Sequence, residues 1–189
     1  INKKQNDEVI KIIKLIFNYW FTQFEFPNNE GKPYKSIGGK MLWNKILNRE
    51  IPHNCKVGTF KEVLKELESG DRPKGGITDI PHGIPSIGAE NIISIGKYNF
   101  DEEKLVTKDY FKKMRTGIVK SGDVLMYKDG LSLGRVSMFK NDYPYKECCI
   151  NSHVFILRTN EKISQNYLYF WLDQDFVKRI IISSGLSAA

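Results

Sequence analysis

Asp79, with Glu102-Glu103-Lys104 further on, spells a loose Asp…Glu-x-Lys arrangement, in which two carboxylates hold Mg²⁺ and a lysine assists the nucleophile. That pattern is common by chance, and Asp101-Glu102-Glu103-Lys104 reads more simply as a solvated charged turn. Several other catalytic signatures are missing. The chain has no Walker loop, no Gly-x-Gly-x-x-Gly, no His-Glu-x-x-His and no Asn-Pro-Pro-aromatic tetrapeptide. His53, His82 and His153 lack the spacing of a zinc site. Cys55, Cys148 and Cys149 are odd in number and form no spaced framework, which argues against a secreted disulfide fold. Neighbours in a strand point to opposite faces, so Cys148 and Cys149 are poorly arranged for one metal. They read as buried, reduced thiols of a cytoplasmic protein. The expectation is a chain with no catalytic residue and no metal of its own.

The basic side chains point to a different chemistry. The formal charge is +7, which favours a polyanion partner, chiefly nucleic acid. The excess is concentrated: residues 108–140 carry eight basic and three acidic side chains, whereas 53–107 carry seven and nine. Phosphate contacts supply affinity and base-edge contacts supply specificity. Lys112, Lys113, Arg115 and Lys120 are the candidates for phosphate contacts, against the plain alternative of solvated surface charge. Arg72 and Lys74 lie in a Gly- and Pro-rich loop that lets backbone approach DNA. Lys128 and Arg135 flank the Asp129-Gly130 turn. These four are the candidates for base or groove contacts, since the arginine fork matches guanine O6 and N7. Glu90, Asn91, Asn151 and His153 are possible DNA contacts that read equally well as partners of local backbone groups.

The elements that must carry these side chains follow from periodicity. Apolar residues at three- and four-residue spacing predict a helix from Asp7 to Phe24, with Ile13, Phe17, Trp20 and Phe21 on a face wide enough to pack against a partner helix. Residues 25–52 read as a linker rich in turn formers, and 53–189 as the main domain. Thr59-Phe60-Lys61-Glu62 has capping-box spacing and predicts a short helix that runs to Ser69-Gly70. Strands are predicted at 84–88, 123–128, 134–139, 149–150 and 154–158, then one helix behind Ser164. The order reads as α+β. No run is long and apolar enough for a membrane span. The chain lacks an initiator Met and is expected to be part of something longer.

Several segments resemble a known family, the Type I restriction-modification specificity subunits. Phe17-Asn18-Tyr19-Trp20-Phe21-Thr22-Gln23-Phe24-Glu25-Phe26-Pro27 is similar to the end of that family's spacer helix, and Gly31 to Met41 and Arg49-Glu50-Ile51-Pro52 continue the match. Ser69 to Gly76 resembles its first basic loop, Gly83 to Ile92 the next strand and turn, and Gly122 to Gly130 with Gly134-Arg135-Val136 its central hairpin. Asn151-Ser152-His153-Val154 resembles its Asn-x-His strand start, and Tyr167 to Leu172 its closing helix. The resemblance implies a spacer helix over 1–24, the linker, and a mixed, mainly antiparallel target recognition domain with flanking helices, truncated at its C-terminal end. It implies sequence-specific grip on one half of a split DNA site, with no catalysis. S-adenosylmethionine, ATP and Mg²⁺ are expected on partner methyltransferase and restriction subunits. A related recognition domain fused to a methylase-nuclease is the alternative parent, and a helix-mediated protein-interaction module the alternative role. The N-terminal helix is expected to pack on a second long helix or on another copy of this chain. A strictly monomeric species in light scattering at high concentration would sink the homodimer.

Overall fold

The computed structural model describes residues 3–73, 76, 80–130 and 133–186. They fall into two compact units, Ile1–Gly58 and Thr59–Ala189. No described helix is long and apolar enough to cross a membrane.

In the first unit, helix α1 (Lys3–Phe17) runs into a single π-helical turn over Asn18–Thr22. The predicted helix therefore ends short of Phe24, which sits at φ 64°. Ile13, Trp20 and Phe21 are exposed, but Phe17 is buried with its ring 4.9 Å from that of Phe21. Of the four residues expected to meet a partner helix, Phe17 is thus already covered. Residues 25–52 are more ordered than a linker. Strands β1 (Met41–Asn44) and β2 (Arg49–Pro52) pair as an antiparallel hairpin. Asn44 makes its turn, accepting the backbone N–H groups of Ile46 and Leu47 at 3.0 Å each. Ile46 and Leu47 of that turn are exposed. Arg49 ties the hairpin down, with its guanidinium over the Phe24 ring at 4.7 Å and Nη2 donating to the Thr22 carbonyl at 2.8 Å.

The second unit is built on a four-stranded antiparallel sheet in the order β3-β11-β8-β9, formed by β3 (Leu64–Ser69), β8 (Val124–Tyr127), β9 (Val136–Met138) and β11 (Val154–Thr159). The capping box at Thr59 and Glu62 is present, but helix α2 (Phe60–Val63) lasts only one turn before β3 begins. The helical reading of 64–69 fails because Leu64-Lys65-Glu66-Leu67-Glu68-Ser69 pairs along β11 with the two-residue period of a strand. Alternation also sorts the core. Leu125, Val154 and Ile156 face a cluster with Ile87, Ile92, Tyr98, Phe139, Cys148 and Ile150. Val124, Val136, Met138 and Leu157 face the opposite one, with Leu168, Tyr169, Leu172 and Val177. Those last four come from α4 (Gln165–Leu172) and α5 (Asp175–Leu186), two helices where one was predicted. Ser164 caps α4 as expected, accepting the Tyr167 N–H at 3.1 Å.

A smaller sheet has the order β10-β4-β7, from β4 (Ile84–Ile87), β7 (Leu105–Val106) and β10 (Cys149–Ile150), with β10 and β4 parallel. Helix α3 (Lys108–Lys113) packs on it through Tyr110 and Phe111. Cys148 and Cys149 lie in different core clusters, the opposite-face arrangement expected of neighbours in a strand. Burial pushes the Cys148 thiol up to about 12 and that of Cys149 to about 11, so neither forms a thiolate near neutral pH. The hairpin β5 (Ile92–Ser94) and β6 (Lys97–Tyr98) completes the unit, with the Ser94 carbonyl accepting from Ser137 Oγ at 2.9 Å. The fold is α+β: an N-terminal helix, mixed and mainly antiparallel sheets, and flanking helices.

Candidate nucleic-acid interface

The register of β11 decides which distant residues meet. Val154 pairs with Tyr127 and Phe155 with Ser69, so the start of β11, the end of β8 and the end of β3 lie side by side. Lys128, Asp129, Asn151, His153 and the Gly70-Asp71-Arg72 loop all emerge at this one end of the sheet. Arg135 joins them, because the Tyr127 N–H donates to its carbonyl at 2.9 Å.

Each side chain has a definite situation there. Arg72 is exposed, and its guanidinium has no partner among the described residues. Arg135 is exposed too, with Nη1 donating to the carbonyls of Ile92 at 3.3 Å and Ala89 at 3.5 Å. Lys128 is half-buried and engaged: its ammonium donates to Ser69 Oγ at 2.8 Å and lies 4.7 Å from the centre of the Phe155 ring. His153 Nδ1 is 2.7 Å from Asp129 Oδ2. Burial opposes the Asp129 charge, but hydrogen bonds from His153 and Tyr127 outweigh it and hold this carboxyl below its ordinary value. Tyr127 moves up, by burial first and then by its bond to Asp129. Lys74 and Asp79 lie outside the described residues.

Two candidates are not on the surface. Asn91 is fully buried, accepting the Gly88 N–H at 2.9 Å and donating to the Asn99 carbonyl at 3.1 Å. Asn151 is buried as well, and its Oδ1 accepts the His153 N–H at 2.9 Å. Both amides serve local backbone, the alternative role that the sequence left open for them beside DNA contact. Glu90 is half-buried beside Lys104 at 3.3 Å. Glu103, of the nuclease-like pattern, accepts the Tyr145 hydroxyl. No group of three or more His, Cys, Asp or Glu that fits a metal ion occurs among the described residues.

The phosphate candidates divide. Lys112 and Lys113 are exposed in the last turn of α3, and exposed Arg115 follows them. Their segment is locked to the Arg72 loop by two glycines. A Cβ on Gly117, at φ 77°, would stand 3.0 Å from the Gly70 Cα. The Gly117 N–H donates to Glu68 Oε2 at 2.7 Å. Tyr110 of α3 also feels the charge of Asp71, after the larger effect of burial, and its hydroxyl is pushed up. Lys120 belongs elsewhere. It lines a shallow depression with Lys65, Glu66, Asp123, Arg158 and Gln165, toward the other end of the sheet.

Ser69, Phe155, Tyr127 and Asp129 were missed by sequence reasoning as parts of this surface, and only the strand register brings them together. A motif also falls here: Gly130-Leu131-Ser132-Leu133-Gly134 spells Gly-x-Ser-x-Gly. A nucleophile elbow joins a strand to a helix. This segment joins β8 to antiparallel β9, the wrong context for one, and Leu131 and Ser132 lie outside the described residues.

The chain is 27% identical over 186 residues to the specificity subunit of the Type I restriction enzyme MjaIX from Methanocaldococcus jannaschii, a match covering 96% of this chain and 39% of that protein. The chain is similar to Type I restriction specificity subunits. It spans about two fifths of the length of the curated specificity subunit it matches. The fold agrees. The crystal structure of the HsdS subunit from Thermoanaerobacter tengcongensis superimposes with a TM-score of 0.51 at 12% identity, over 96% of this chain and 40% of that one. A chain from a structure of complex assembly and conformational transition of the Type I R-M system aligns over 71% of this chain and 31% of its own, at 14% identity and a TM-score of 0.45. No protein-family model matches the chain.

Proposed function

We propose that this chain is the DNA-reading part of a Type I specificity subunit, a non-catalytic module that holds one half of a split site and directs methyltransferase and restriction subunits to it. The similarity to a specificity subunit along 96% of the chain carries this reading. The basic loops at one end of the sheet give it a physical basis. Lys112, Lys113 and Arg115 take phosphates, and the loop locked beside them offers Arg72 to the groove; Lys74 is assigned the same role by its place in the sequence. Arg135 reaches the same groove from the hairpin. Lys120 takes a phosphate only if the DNA extends toward the Arg158 end of the sheet. S-adenosylmethionine, ATP and Mg²⁺ belong to the partner subunits, and the assembly works where the DNA is, in the cytoplasm. The exposed face of α1 and the π turn packs on a second long helix or on another copy of this chain. The relative's description as a specificity subunit favours that parent over a fused methylase-nuclease.

Binding to random-sequence duplex DNA as a function of salt tests the proposal. Release of counterions from about five neutralised phosphates gives a log–log slope near −4.5, so a rise from 50 to 200 mM salt weakens binding by about 500-fold. Absence of binding at low salt would refute the DNA-reading role.

A further inference from the structure

We propose that His153 reads an exocyclic amino group on a base edge, with Asp129 as the residue that positions it. The inference rests on the DNA-reading function above and deepens it. His153 is fixed at two points. Its backbone N–H is held by Asn151 Oδ1 at 2.9 Å, and its ring Nδ1 by Asp129 Oδ2 at 2.7 Å. Asp129 is itself held by Tyr127, whose ring centre lies 6.5 Å from that of His153.

An ionised carboxylate only accepts hydrogen bonds, so the proton of the neutral imidazole sits on Nδ1 and the lone pair on Nε2. No described group bonds to Nε2. The side chains of His153 and Asp129 remain 39% and 43% exposed, between exposed Arg72 and Arg135 on the same end of the sheet. A clip that merely joined the turn to β11 has no need of a part-exposed ring whose second nitrogen, in a fixed tautomer, bonds to no described group. A base reader needs that: one acceptor, pre-aimed by its neighbours, on rigid elements. Lone acceptors in protein pair with donors on DNA, and the major-groove donors are adenine N6 and cytosine N4. Lys128, the neighbouring side chain, is spent on Ser69 and Phe155 and does not compete for the base.

The test is a binding-site selection from randomised duplexes with the whole chain at pH 8, followed by dissociation constants for the preferred half-site and each single base-pair change. His153→Ala is expected to flatten the preference at one base pair by roughly tenfold while keeping the salt slope. Asp129→Ala should flatten the same pair, and the double variant should lose no more than either single one. On the unaltered protein, purine in place of adenine, or pyrimidinone in place of cytosine, should reproduce the loss at that pair. Whichever analogue does so identifies the base, and this arm needs no variant to fold. Unchanged preferences in His153→Ala, indifference to both analogues, or a loss spread evenly over all pairs would each overturn the assignment. A wild-type chain that binds no DNA fails at the first step, before any variant, and overturns the DNA-reading function together with this inference.

Discussion

Arg158→Ala is expected to destabilise the second unit by about 3–5 kcal/mol, read as a lowered urea midpoint at unchanged slope. Arg158 is only 12% exposed and serves three carboxylates. Nε and Nη2 donate to the two oxygens of Asp123 at 2.7 and 2.6 Å, and Nη1 donates to Glu66 at 2.6 Å and to Glu68. Nη2 also donates to the Ile118 carbonyl at 3.0 Å. Asp123, at 4% exposure, decides the size of the effect, because removing the guanidinium leaves its charge in the interior. Glu66 is far more open, and water screens most of its share. Arg158→Met combined with Asp123→Asn, Glu66→Gln and Glu68→Gln removes both sides of the network and should cost much less than Arg158→Ala alone. The pH dependence has a definite sign. Hydrogen bonding to Arg158 lowers Glu66 below its ordinary value of 4.5 against the opposing effect of burial. A lowered carboxylate stabilises the folded state above 4.5, and that stability is lost as pH falls through the folded value. Stability should therefore drop below about pH 4.5, and less steeply in Arg158→Ala. A loss under 1 kcal/mol at neutral pH would show the network to be screened like a surface pair.

Gly70→Ala should cost about 1–3 kcal/mol and weaken DNA binding as well. A Cβ at position 70 would stand 2.0 Å from the Ile150 carbonyl oxygen and 2.4 Å from that of Asn151. Those are backbone atoms of and next to β10, so relief requires moving a strand rather than turning a side chain. Movement there also displaces Gly117, whose carbonyl accepts the Ile150 N–H at 2.8 Å, and with it the segment bearing Arg115. Denaturation and DNA titration on one preparation separate the two effects. A cost within 0.5 kcal/mol, as for an ordinary surface change, would mean that the glycine crossing is loose.

The central hairpin was legible in the sequence because Val124 to Tyr127 is a continuous apolar run and Val136 and Met138 alternate around Ser137 on the other side of Asp129-Gly130. The cap at Ser164 was legible because capping is local. Local reading misled at Leu64 to Ser69, where a true capping box suggested a longer helix and pairing with β11 overrode it. It also missed the end of α4, where Asp173 bonds to Lys178 and receives the Tyr169 hydroxyl at 3.5 Å. The candidate surface was half legible. Residue type and loop context marked Arg72, Arg135 and His153. The engagement of Lys128 with Ser69, 59 positions away, and of His153 with Asp129, 24 away, depends on a strand register that no local pattern encodes.

His153 immediately precedes β11 and Arg158 lies near the far end of that strand, about 17 Å away at the usual rise. Residues separated by more than about 10 Å with no shared partner contribute additively. A new side chain at position 153 or 135 thus draws nothing from the guanidinium network that keeps the sheet folded. At these two positions the face is consequently interchangeable: what the domain prefers there can be rewritten in combinations while its melting point stays where the far end sets it.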